Sequence, residues 1–85
     1  MLPEGAMPST LDSRRHQALR AFLIERRKQA GLRQIDLAKR LGRSQSYVSS
    51  IETGQKHGPL VELMEWAEAI GFDAEDALSH IAKIS

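Results

Sequence analysis

Four polar side chains, Gln45, Ser46, Ser49 and Ser50, fall within one short stretch of helical periodicity ending near Thr53. Val48 and Ile51 share the opposite, inward side of that stretch, with Tyr47 at its edge. The outer side therefore carries neutral hydrogen-bonding groups and no carboxylate. A carboxamide offers a paired donor and acceptor that matches adenine in the major groove, and a hydroxyl can serve several base edges. Serine is a mediocre helix former, so three on one exposed face need a reason other than helix stability. The chemistry expected here is hydrogen-bond reading of an edge, not bond making or breaking.

The surrounding charges fit that expectation. Eleven of the twelve Lys and Arg residues lie between Arg14 and Lys56, where only Glu25, Asp36 and Glu52 are acidic. The remainder sets Lys83 against eight carboxylates. A basic half suits a polyanion and an acidic half does not. Arg33 and Arg43 flank the stretch and Lys56 follows it, so phosphate contacts are expected there. Tyr47 is a further phosphate candidate through its hydroxyl, the competing expectation being that its ring packs at the helix edge. Arg26, Arg27 and Lys28 suit the negative end of a preceding helix. Glu52 is expected to pair with a basic neighbour.

Other chemistries find no support. Cysteine is absent, so no disulfide or thiolate metal site is expected. His16, His57 and His80 have no ligand spacing, and no HExxH pattern accompanies them. Glycines are isolated, with no GxGxxG or P-loop spacing. No catalytic constellation, metal or cofactor is expected. Apolar runs fall well short of the ~20 residues that cross a bilayer, and Met1–Thr10 lacks the pattern of a signal peptide.

Eighty-five residues supply one domain, and with four aromatics its core must be mostly aliphatic. Periodicity predicts an all-α fold of five helices: residues 1–11 a flexible leader and 12–85 the domain. The first helix spans about Asp12 to Ala30, capped by Asp12 or Ser13 and stopped by Gly31. The second covers about 34–41 and turns at Gly42. The third covers 45–53, with Ser44 as its N-cap and Gly54 after it. Pro59 is placed at the first position of a fourth helix whose apolar face reads Leu60, Leu63, Met64, Ala67 and Ile70, with Trp66 on or beside it. Asp73 and Asp76 form a capping-box pattern for a fifth, about 74–84, carrying Ala77, Leu78, Ile81 and Ile84.

Two short helices joined by a tight glycine turn, with a small Ala38 permitting close approach, form a helix-turn-helix pattern. The run QIDLAKRLGRSQSYVSSIETG from Gln34 to Gly54 resembles the phage repressor and Cro type of helix-turn-helix, the XRE family. The resemblance extends from about Leu19 to Phe72 and rests on Ala38, Gly42, Val48, Ile51, Glu52 and Gly54, followed by Leu63, Ala67 and Gly71. It implies a five-helix, lambda-repressor-like DNA-binding domain acting in transcription regulation. By the same resemblance Gln34 grips a phosphate, while Gln45, Ser46 and Ser50 reach bases, with Ser49 a weaker candidate. Two residues depart from the family pattern. Arg33 replaces the usual Ser or Thr cap of the second helix, and the reading helix carries no Arg or Lys.

The expected partner is double-stranded DNA, bound as a homodimer on a palindromic operator in the cytoplasm at the nucleoid. The fifth helix, through Leu78, Ile81 and Ile84, is the candidate dimer surface. Two alternatives keep the same motif: an antitoxin-type regulator that also binds a toxin protein, and a restriction-modification controller.

Overall fold

The computed structural model describes residues 9–84, with side chains from Arg14 onward. Five helices follow one another: α1 (Ser9–Gln29), α2 (Gln34–Leu41), α3 (Gln45–Thr53), α4 (Leu60–Ile70) and α5 (Ala74–Ala82). There is no strand among the described residues. The leader expected over 1–11 falls mostly outside them, and the α1 backbone is already helical from Ser9. Asp12 and Ser13 thus lie inside the helix, not at its start.

The α2 and α3 bounds match the sequence reading because their punctuation is strong. Gly42 takes φ 68°, a left-handed conformation that is inexpensive only without a Cβ. The N–H of Arg43 then closes on the Ala38 carbonyl at 2.9 Å and that of Gly42 on Lys39 at 3.3 Å, the signature of a Schellman turn. Ser44 caps α3 by accepting the Tyr47 N–H at 3.1 Å. At α5 the Asp73 carboxylate accepts from Glu75 N at 3.0 Å, so the cap forms. Pro59 sits one position earlier than expected, as the N-cap of α4.

α2 packs on α3 and α4, while α1 packs along α5 and α3. Their shared core joins Leu23, Leu37, Ala38, Val48, Ile51, Leu63, Trp66, Ile70 and Ala77. The α4 face departs from expectation. Leu63, Trp66, Ala67 and Ile70 turn inward, whereas Leu60 and Met64 are 59% and 49% exposed. Trp66 decides the rotation: its ring holds the largest apolar area on the helix, and it is 1% exposed. Turning it inward carries Leu60 and Met64 out.

Candidate nucleic-acid interface

The reading helix is clamped from behind. Val48 and Ile51 are buried against α2, which leaves Gln45 and Ser46 fully on the outside. With Ser49 and Gln55 they line one open polar groove. Gln55 is an addition that no spacing in the sequence singled out. Ser50 stands apart from this group. It is half-buried, and its hydroxyl donates to the Tyr47 carbonyl at 2.7 Å, so its proton is committed to its own helix.

Behind the groove lies a buried ion pair. Arg27 gives Nε and Nη2 to the two Glu52 oxygens at 2.7 and 3.0 Å, and Nη1 to the Leu32 carbonyl at 2.8 Å. Gln34 adds Nε2 to Glu52 Oε1 at 2.9 Å. One carboxylate therefore fastens the end of α1, the start of α2 and the last turn of α3 together. Glu52 pairs with a basic neighbour as expected; that neighbour is Arg27, read from the sequence only as a charge suited to the end of its helix, and it is buried. Its position was signalled, because Leu19, Leu23 and Arg27 recur every four residues on the inner side of α1. Arg26 is also engaged, with its guanidinium 4.9 Å from the Phe22 ring and 5.6 Å from Phe72.

The expected phosphate contacts fall into two groups. Arg43 and Lys56 converge on Tyr47, their charges 4.5 and 5.7 Å from the ring centroid. The Tyr47 hydroxyl donates to Glu62 at 2.6 Å and accepts from the Trp66 indole at 3.1 Å. Burial, then the bond to Glu62, raises the tyrosine pKa. Its proton is spent inside the protein, and the ring serves as a platform for the two cations. Arg33 stands elsewhere, at the N-cap of α2. Its side chain makes no acceptor bond, but Asp36 reaches back to accept the Arg33 N–H at 2.9 Å and its Nε at 3.0 Å. Asp36 thus makes the reciprocal half of a capping box, back to the N-cap N–H, while the half that a Ser or Thr would make to the first turn is missing. The Arg33 bonds hold the Asp36 carboxyl down at about 2.

Gln34 lies at the first turn of α2, where backbone N–H groups favour anions. It spends one amide N–H on Glu52 and keeps a second. Leu78 on α5 is exposed, while Ile81 and Ile84 are half-buried; the carbonyl of Ile84 accepts from Arg15 Nε at 3.0 Å. No helix among the described residues is long and apolar enough to cross a membrane.

Comparisons with known proteins agree with this fold. The helix-turn-helix domain family matches residues 18–80. Among solved structures, an XRE-family like protein from Pseudomonas syringae pv. tomato str. DC3000 is 37% identical, with a TM-score of 0.86 over 92% of this chain and 95% of that one. No curated protein matches. A shared architecture alone would be weak evidence of function. Here the likeness extends to sequence over nearly the whole chain, and the chain belongs to the XRE type of helix-turn-helix DNA-binding regulators.

Proposed function

We propose that this protein is a sequence-specific transcriptional regulator that lays α3 in the major groove of a palindromic operator as a homodimer. One observation carries the reading. Gln45, Ser46, Ser49 and Gln55 share a single outward groove, while the only carboxylate of α3, Glu52, is turned inward and neutralised. Bases are read by Gln45 and Ser46 first, with Ser49 beside them; Ser50 contributes only acceptor capacity. Gln34, Arg33, Arg43 and Lys56 supply phosphate contacts. Tyr47 acts by aligning Arg43 and Lys56, since its own hydroxyl would have to leave Glu62 to meet a phosphate.

The dimer follows from specificity. A single module contacts few bases, and each mismatch is worth about 1–3 kcal/mol, so doubling the site is the economical solution. Two-fold symmetry would place the two α3 helices ~34 Å apart. Leu78 and Ile81 on α5, with Ile84 just beyond its end, form the proposed contact. The protein would then work in the cytoplasm, on the nucleoid.

A second reading, an antitoxin-type regulator that also binds a toxin protein, is favoured by the face of α4. Leu60, Val61 and Met64 are exposed there beside Glu65 and Glu68. As an antitoxin, this protein would co-purify with the product of a neighbouring gene; as a regulator acting alone, it would not.

Selection of bound sequences from a random duplex pool tests the main reading, and a palindromic consensus is expected. Gln45→Ala should then lose preference for that consensus over random DNA by about 1–3 kcal/mol, while Lys56→Ala weakens both and flattens the salt dependence. Unchanged operator preference in Gln45→Ala would remove α3 from the reading role.

A further inference from the structure

A second cationic cluster begins where the reading face ends. His16 and Arg20 lie one turn apart on α1, and His57 belongs to the loop that follows α3. The imidazoles of His16 and His57 stack with centroids 3.9 Å apart and planes 6° from parallel. The Arg20 guanidinium lies on Gly54, so close that a Cβ there would stand 2.8 Å from its Cζ. These residues and Gln17 line an open pocket of about 260 Å³. Lys56 lines the adjoining crevice together with His16, Arg20 and His57.

The charge that lines this cluster is, among the described residues, one-sided. Among the described residues, no carboxylate lines either cavity. Arg33, Arg27, Arg43 and Arg26 each lie within 4 Å of an acid, respectively Asp36, Glu52, Glu62 and Asp76. The charges facing His57 are His16 and Arg20 from α1, with Lys56 on its own loop. From α4, the Glu62 carboxylate approaches Gly58, where it holds the Tyr47 hydroxyl. Burial, then His16 and Arg20, lower the pKa of His57 and so disfavour its charged form. An anion seated in the pocket would reverse that balance.

Position supplies the ligand. α3 has nine residues and so is about 13 Å long, close to the ~12 Å width of the major groove. A helix entering with Gln45 brings its Gly54 end near a groove wall, where the sugar-phosphate strand runs. Gly54 joins the two surfaces: Gln55 after it lines the reading groove, and Arg20 covers it.

We propose that His16, Arg20 and His57, with Lys56 beside them, form a second phosphodiester site on the same duplex, and that it gains a proton as DNA seats. The proposal rests on the reading of α3 as the groove-binding helix. It makes operator affinity a function of pH through residues outside the helix-turn-helix.

Duplex binding by fluorescence anisotropy at pH 6 and pH 8, over a series of salt concentrations, tests it. The chains compared are wild type, H16Q/H57Q, R20Q and the remote control K83Q, each checked for unchanged helical circular dichroism. Wild-type affinity should rise about fivefold from pH 8 to pH 6, within the tenfold per pH unit that uptake of one proton allows. In H16Q/H57Q that rise should vanish, although His80 is still present. R20Q should lower the salt slope by about 1 at both pH values, and K83Q should do neither. A double variant that keeps the wild-type pH dependence, or R20Q with an unchanged salt slope, would overturn the site and leave the DNA reading intact. Wild type that binds no duplex even at low salt would overturn the DNA reading, and the site with it.

Discussion

Glu52 shows at the level of one residue how structure and recognition share an atom. Its carboxylate is almost wholly buried and receives two bonds from Arg27 and one from Gln34. Removing one partner of such a pair strands the other charge, at a cost of about 3–5 kcal/mol. Glu52→Ala should therefore lower stability by that amount in urea titration. Arg27→Met with Glu52→Leu should recover most of it, because both charges leave together. The same double variant would free the Gln34 amide and weaken DNA binding even where stability returns. Asp36 makes a different, pH-dependent contribution. Its side-chain bond with Arg33, then the bond from the Arg33 N–H, hold its pKa at about 2 in the folded chain, below the ordinary carboxylate value. A depressed carboxylate stabilises fully above its unfolded pKa and loses that effect as pH falls through the folded one. Asp36→Asn should thus melt below wild type at pH 7, with the gap closing between pH 4 and pH 2. A gap that persisted at pH 2 would assign the effect to packing.

At the scale of elements, what was legible followed punctuation. Gly42 and Gly54 act through backbone geometry and Ser44 through its own side-chain cap, all of them local, so both helices of the motif were readable. The α4 face was less so. Leu60, Leu63 and Met64 satisfy one helical stripe and Leu63, Trp66 and Ile70 another; only packing into the shared core selects the second. The site divided likewise. Gln45 and Ser46 are placed by their position on α3, whereas the bonds that occupy Ser50 and Tyr47 depend on neighbours no spacing reveals. Arg20 and His57 reach each other across more than thirty residues and leave no local pattern. The turns themselves are testable. Gly42 and Gly54 both adopt positive φ, and an alanine at either should cost about 1 kcal/mol. Gly42→Ala meets no atom within 4 Å, but Gly54→Ala displaces Arg20. Equal losses in thermal stability, with a lower salt slope for DNA only in Gly54→Ala, are expected.

Over the whole molecule, charge and packing divide the same way. Bases cluster on α1 to α3 and the following loop, while α4 and α5 carry Glu62, Glu65, Glu68, Glu75 and Asp76. The basic elements attract a polyanion and the acidic ones repel it, which biases the approach before any base is touched. The proposed assembly belongs to this scale. Leu78→Glu should hold the protein monomeric in sedimentation velocity at concentrations where wild type is dimeric, and reduce operator affinity accordingly. Monomeric wild type with and without DNA would exclude the dimer.

The bond from Arg15 to the Ile84 carbonyl joins residues 69 positions apart. Contacts at such separation close a long loop, and the entropy of closing it favours their late formation. α5 buries one side chain fully, Ala77, and otherwise rests mainly on α1. The last helix is then expected to open as a foldon of its own, undocking while α2, α3 and α4 stay assembled around Leu37, Val48 and Trp66. Native-state hydrogen exchange would register two classes of opening. Amides from Leu78 to Ala82 should exchange through a cheap, denaturant-insensitive event, and those of Val48 and Ile51 only when the entire chain unfolds.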